Sequence, residues 1–219
     1  VMLIERDLRL VEMTGGKYHV SRVTTASAVK ALAQAKLAGL AVSCDTAPHY
    51  FTLTDEAVTD YRTFAKVSPP LRSEADRCAI IEGISDGTID AIVSDHTPRD
   101  QDSKRLPFNQ AAYGIVGLET LLLLTLDKVR EGAFSILDGL GALTCNPARI
   151  LGIKEGQLKS GFPANFVIFD FNGTTKIDVN DFHSKCKNSP FDGKTLQGQV
   201  LKTIVAGRII YDNNPSEIS

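Results

Sequence analysis

From Ile89 to Asp95 the chain reads IDAIVSD, and His96, Thr97, Pro98 and Arg99 follow. The apolar residues Ile89, Ala91, Ile92 and Val93 predict a buried strand, entered through the turn at Asp86 and Gly87. That strand delivers a carboxylate and an imidazole at its C-terminal end, just before a Pro turn and a long polar loop. A βα barrel keeps its catalytic groups at that end of its strands. A carboxylate so placed can bind a metal or take a proton from metal-bound water. An Asp-His pair that merely caps the turn would look the same from this run alone.

Around this strand the elements alternate. Residues 17–24 and 40–46 read as two further strands, so that three parallel neighbours, 17–24, 40–46 and 89–95, are expected. Ile4, Leu8 and Val11 keep helical spacing up to Gly15 and Gly16, with no N-cap ahead of them. The reading is a chain that starts in mid-element, with an upstream part missing. Ala26–Leu37 predicts a helix closed by Gly39. Ser73 with Asp76, and Ser135 with Asp138, read as capping boxes of two more. Gly117–Gly132 predicts an apolar helix. Asn146 and Pro147 read as the N-cap and first residue of a short helix that Gly152 stops. Beyond Gly152 the pattern becomes β-rich, at 164–171 and 200–211, with a hairpin turn at Ala206 and Gly207. The expected organisation is an α/β part over 1–152 and a small β-rich unit over 153–219, with Asn213, Asn214 and Pro215 fraying.

Composition narrows the function classes. The 219 residues carry a net charge of −2 with both signs scattered, which disfavours nucleic acid as a partner. No apolar run reaches the roughly 18 residues of a membrane span. Cys44, Cys78, Cys145 and Cys186 form no C-x-x-C pair, and buried free thiols in a reducing cytosol explain them.

Six stretches, in order, carry a resemblance: KVSPPLRS at 66–73, DGTIDAIVSDHTP at 86–98, PF at 107–108, GIVGLE at 114–119, NPARILG at 146–152 and SKCKNSPF at 184–191. Together they resemble the C-terminal half of a bacterial class I dihydroorotase of the amidohydrolase superfamily. The resemblance implies an α/β fold: a partial (β/α)8 TIM-like barrel, contributing its last three strands, with a small C-terminal β-sheet unit. It implies interconversion of N-carbamoyl-L-aspartate and dihydroorotate at a zinc centre, in cytoplasmic de novo pyrimidine synthesis.

Position by position, the resemblance places Asp95 as the aspartate that binds metal and shuttles the proton. Ser68 stands where a substrate-contacting Asn is usual. Arg99 stands in for a His that helps hold the substrate carboxylate, and its planar fork suits that task. Tyr113 and Gly114 lie on a loop whose backbone binds substrate. Arg22 occupies the place of a zinc-binding His, and a protonated guanidinium has no lone pair to offer a metal. His19, three residues earlier, would face away from that place on a regular strand. The remaining zinc ligands of the family would all precede Val1.

Other polar residues have plainer readings. His49 reads as structural or as support for the site. His96 reads either as orienting Asp95 or as touching metal-bound water. His183 reads as a surface residue, Arg72 as a surface ion pair, and Lys104 with Arg105 as a solvated loop pair. Three functions follow: a dihydroorotase whose other half lies upstream, with this chain inactive alone; a non-catalytic dihydroorotase-like scaffold for aspartate transcarbamoylase; or a hydantoinase-like cyclic amide hydrolase. The small-molecule substrate would be dihydroorotate or N-carbamoyl-L-aspartate, with a homodimer as a further possible assembly.

Overall fold

Strands β1 (Tyr18–Val20), β2 (Val42–Thr46) and β3 (Ala91–Ile92) lie side by side and parallel, in that order, in a computed structural model that describes residues 1–213. His19 pairs with Ser43, and Thr46 with Ile92. The three are neighbours as the sequence predicts, but shorter. Arg22 and Asp95 each take a positive φ, 58° and 43°, and such a left-handed residue breaks the pleat. The chain turns at both places, and both side chains leave from the C-terminal end of the sheet.

Helix α1 (Met2–Thr14) ends in the left-handed Gly15, and α2 (Ala26–Leu37) follows β1. The Thr25 hydroxyl accepts from the Ala28 N–H and starts α2. A short α3 (Pro48–Thr52) follows β2 directly, and α4 (Glu74–Ser85) leads to β3. Only half of the capping box expected at Ser73 forms. The Ser73 hydroxyl accepts from Asp76 N–H, while the Asp76 carboxylate accepts from Ala26 N–H at 2.8 Å, tying α4 to the start of α2. Leu32, Phe51, Ile80, Ile84, Ile89 and Ile92, all buried, form the core between the sheet and these helices.

After β3 come α5 (Gln101–Arg105), α6 (Leu121–Arg130), α7 (Ile136–Leu143) and α8 (Cys145–Leu151). The box at Ser135 and Asp138 is complete. Two expected boundaries move. Helix α6 starts at Leu121 instead of Gly117, because residues 115–117 run alongside the end of β3: Ile115 bridges His96, and Gly117 donates to the His96 ring. Helix α8 starts at Cys145 with Thr144 as N-cap, so Asn146 is not the cap. Its amide instead holds the Asp90 carbonyl at 3.0 Å. Pro147 fits in the first turn, where no N–H has a helical partner.

The last strands, β4 (Phe166–Lys176), β5 (Thr195–Val205) and β6 (Arg208–Asp212), form an antiparallel sheet that packs on α6. They run longer than the apolar stretches at 164–171 and 200–211. Ala206 and Gly207 make the expected hairpin, with φ of 49° and 76°, as a type I′ turn requires. Asn213 donates to the Leu201 carbonyl, and the fraying expected at Asn214 and Pro215 falls outside the described residues. Cys78 is exposed, against the expectation of buried thiols, whereas Cys44 is fully buried and burial pushes its thiol up to about 12.

Two buried ammonium groups hold the loop between α5 and α6. Lys104, expected in solvent, is wholly buried, and its Nζ donates to the carbonyls of Ala112, Gly114 and Lys66. Lys66 donates to those of Phe108, Asn109 and Ala111, and sits 4.4 Å from the Tyr113 ring centroid. No carboxylate pairs with either lysine among the described residues. Carbonyl dipoles carry the task instead, as cation-bound hydrogen bonds of about 1.5–3 kcal/mol each.

Two predictions test this arrangement. A Cβ on Gly117 would lie 2.3 Å from the Ser94 carbonyl oxygen, so we expect Gly117→Ala to cost about 1–3 kcal/mol in urea unfolding. A neutral Gly117→Ala would mean that the Ser94 and Gly117 backbones are not in contact. Burial, with the Lys66 and Arg99 cations, lowers Lys104 from 10.5 to about 8. Below pH 8 folded and unfolded chains both carry this proton. Between about 8 and 10.5 only the unfolded chain keeps it, so stability rises with pH across that window. We expect this rise, about 3 kcal/mol, in the parent and not in Lys104→Met.

Candidate active site

Asp45, on β2, organises the turn after β1. It is 4% exposed, and it accepts from the Arg22 N–H at 2.7 Å, from Ser21 Oγ, and from His19 Nε2 at 2.8 Å. His19 is therefore committed to β2, with its Nδ1 at 2.7 Å from Ser43 Oγ. Arg22 emerges past the strand in the left-handed conformation that these bonds support. Its Nη1 donates to the Ser68 carbonyl at 2.9 Å and lies 3.4 Å from Asp95 Oδ1.

On the other side of Asp95 stands His49, in α3 and 1% exposed. Its Nε2 lies 3.5 Å from Asp95 Oδ2, within ion-pair distance yet without hydrogen-bond geometry. Burial holds this imidazole below its ordinary pKa, and the nearby carboxylate only partly offsets that. Burial thus disfavours the charged form of the His49 that faces the carboxylate. The Tyr50 phenol, pushed up mainly by burial, donates to the Pro69 carbonyl at 2.9 Å.

A second cluster lies four residues further along. Arg99 Nε donates to the Tyr113 carbonyl at 3.0 Å, and Arg99 N–H to Asn188 Oδ1 at 3.1 Å. The Asn188 amide reaches the carbonyls of Thr97 and Gly114. Gly114 takes a φ of 122°, and a Cβ there would lie 2.5 Å from Thr97 Cγ2, so glycine is needed twice over. Thr97 links the clusters, since its Oγ1 donates to the Asp95 carbonyl and its N–H to that of Ile115. The structure thus joins Arg22, Ser68 and Asp95 in one contact set, and Arg99, Tyr113 and Gly114 in another, over the same strand end.

The other expectations divide. His96 accepts from the Gly117 N–H, which fixes its ring to the following loop and not to Asp95. Arg72 donates to Thr24 Oγ1 and makes none of the ion pairs among the described residues, so the expected surface pair is absent. His183 is solvent-exposed, as expected. Sequence reasoning missed Asp45 and Asn188, and the roles of Lys66 and Lys104. A buried strand carrying a lone Asp was the available signal for the first. For Asn188, only the KNSPF run pointed there. Clefts of about 460 Å³ beside α6 and β5 and about 520 Å³ between α1 and α2 lie away from Asp95. The first holds His183 3.8 Å from Glu119, but neither cleft opens at the C-terminal end of the parallel strands, so the strand end is the stronger site.

The donors that this chain supplies do not by themselves make a metal centre. Among the described residues no three His, Cys, Asp or Glu side chains cluster to hold an ion. At Asp95 the neighbour in the expected ligand position is a guanidinium.

Residues 5–210 match the family model described as amidohydrolase family. The dihydroorotase of Desulforapulum autotrophicum is 45% identical over 96% of this chain and 49% of its own length. That of Geobacter metallireducens is 46% identical over 94% and 49%. The chain spans about half the length of these curated relatives. The solved L-hydantoinase from Arthrobacter aurescens superposes with a TM-score of 0.89 at 30% identity, over 95% of this chain and 48% of that one. Dihydropyrimidinase from Brevibacillus agri gives 0.90 at 24% identity, over 96% and 48%, a likeness of fold alone. With the family model covering nearly the whole chain, and an α/β sheet that presents polar groups at its C-terminal end, this chain belongs to the amidohydrolase family.

Proposed function

We propose that this chain is part of a dihydroorotase-type cyclic amide hydrolase, acting between dihydroorotate and N-carbamoyl-L-aspartate in cytoplasmic pyrimidine synthesis. The observation that carries the reading is identity of about 45% with dihydroorotases across nearly the whole chain. In this reading β1, β2 and β3 are the last three strands of a (β/α)8 barrel. Residues 1–152 belong to the barrel and 153–219 to a flanking β-rich unit, which reaches back to the site through Asn188. Apolar residues exposed on α1, such as Leu3 and Met13, and Ile209 and Ile210 on β6, support the view that more protein covers this chain.

Asp95 is the proposed acid–base group. In ring opening, water adds to the amide carbonyl, its proton passes to the carboxylate, and the same proton returns to the departing ring nitrogen as the C–N bond breaks. Ser68, Arg99 and the backbone at Tyr113 and Gly114 are proposed to hold the substrate. Arg99 is exposed and hydrogen-bonded through Nε, which leaves the far edge of its guanidinium for a carboxylate. The zinc of the family does not fit the donors present, so no step runs through it here. The chain by itself is expected to be inactive.

A second reading, a non-catalytic scaffold partner of aspartate transcarbamoylase, is favoured by the contact between Arg22 and Asp95. The hydantoinase-like reading rests on structural neighbours such as the L-hydantoinase at 30% identity and is the weaker. An assay of the complete gene product decides among them. We expect dihydroorotate turnover that falls by about 10²–10⁴ in Asp95→Asn. Arg99→Met should raise KM by about tenfold or more, with a smaller effect on kcat. A folded protein without turnover that still binds aspartate transcarbamoylase would establish the scaffold reading. Preferential hydantoin hydrolysis would establish the third.

A further inference from the structure

Both oxygens of Asp95 already face a neighbour. Oδ1 meets the Arg22 guanidinium at 3.4 Å and Oδ2 meets His49 at 3.5 Å. Arg22 is not a loosely placed surface cation. Its φ of 58° sets it in a left-handed turn, its N–H is held by the buried Asp45, and its Nη1 bridges the Ser68 carbonyl and Asp95. Three separate elements thus aim this one guanidinium at one carboxylate. Among the described residues, the only other basic nitrogen facing Asp95 is that of His49, buried and without a hydrogen-bond partner.

We infer that Arg22 is a built-in cation occupying the position of a metal ion at Asp95, so that Asp95 is not a metal ligand in this protein. A guanidinium supplies the positive charge that a carboxylate at a strand end needs, with no lone pair for coordination. A divalent ion approaching Oδ1 would have to displace Arg22 or sit beside it, against direct charge repulsion. The inference goes beyond the proposed reaction and holds whichever cyclic amide the protein acts on, because it rests on the contacts of Arg22, Asp45 and Asp95 alone.

Zinc content of the complete gene product tests it. Parent, Asp95→Asn, Arg22→His and the double variant are incubated with zinc chloride, desalted and measured for zinc per chain. The expected result is equal zinc in the parent and in Asp95→Asn, whatever ligands other parts of the protein supply. Arg22→His should gain up to one zinc per chain, and Asp95→Asn in that background should remove the gain. Lower zinc in Asp95→Asn than in the parent overturns the inference, as does an Arg22→His protein with no gain. The comparison of parent with Asp95→Asn stands without any Arg22 variant, should that variant fail to fold. Turnover does not enter the measurement, so failure of the dihydroorotase reading and failure of this one are distinguishable.

Discussion

Asp45 lies in a position where an unpaired carboxylate would be costly to bury, and the strand ends are arranged around satisfying it. Donors from His19, Ser21 and the Arg22 backbone converge on it, while its own backbone carbonyl accepts from Val23. These bonds stop β1 after three residues and turn the chain through a left-handed Arg22. The direction of the guanidinium, and hence its contact with Asp95, depends on that turn. A carboxylate on the central strand thereby decides what stands beside a carboxylate on its neighbour.

The loop that completes the site follows a related logic. Lys66 and Lys104 are buried cations with no carboxylate beside them among the described residues, and backbone carbonyls from the 108–114 segment surround them. Asn188, from far along the chain, satisfies Gly114, Thr97 and Arg99 together. The polar groups that hold this loop are thus paired almost wholly with backbone. This arrangement positions the loop by shape and leaves the exposed Arg99 and Tyr113 side chains at its rim.

Local chemistry was legible. The apolar strand before Asp95, the capping box at Ser135 and Asp138, and the hairpin at Ala206 and Gly207 each depend on residues a few positions apart. That Asp95 and Arg22 would stand at the same end of the sheet was legible too, through the family-like runs around them. His49, read as structural or as support for the site, is buried beside Asp95, whereas the roles of Asp45, Lys104 and Asn188 were not legible, because each depends on where folded-back or distant chain comes to lie. Lys104 shows this best: beside Arg105 in a polar loop it reads as solvated, yet the loop folds over it.

Periodicity and turn chemistry act over one or two turns of chain, and they were enough to specify the parallel α/β order, the β-rich tail and the residues that end β3. The tertiary structure alone decided that Arg22 meets Asp95, that α6 starts only at Leu121, and that two lysines are buried. Those outcomes follow from satisfying buried polar groups in three dimensions, and no local pattern encodes which distant partner will do so.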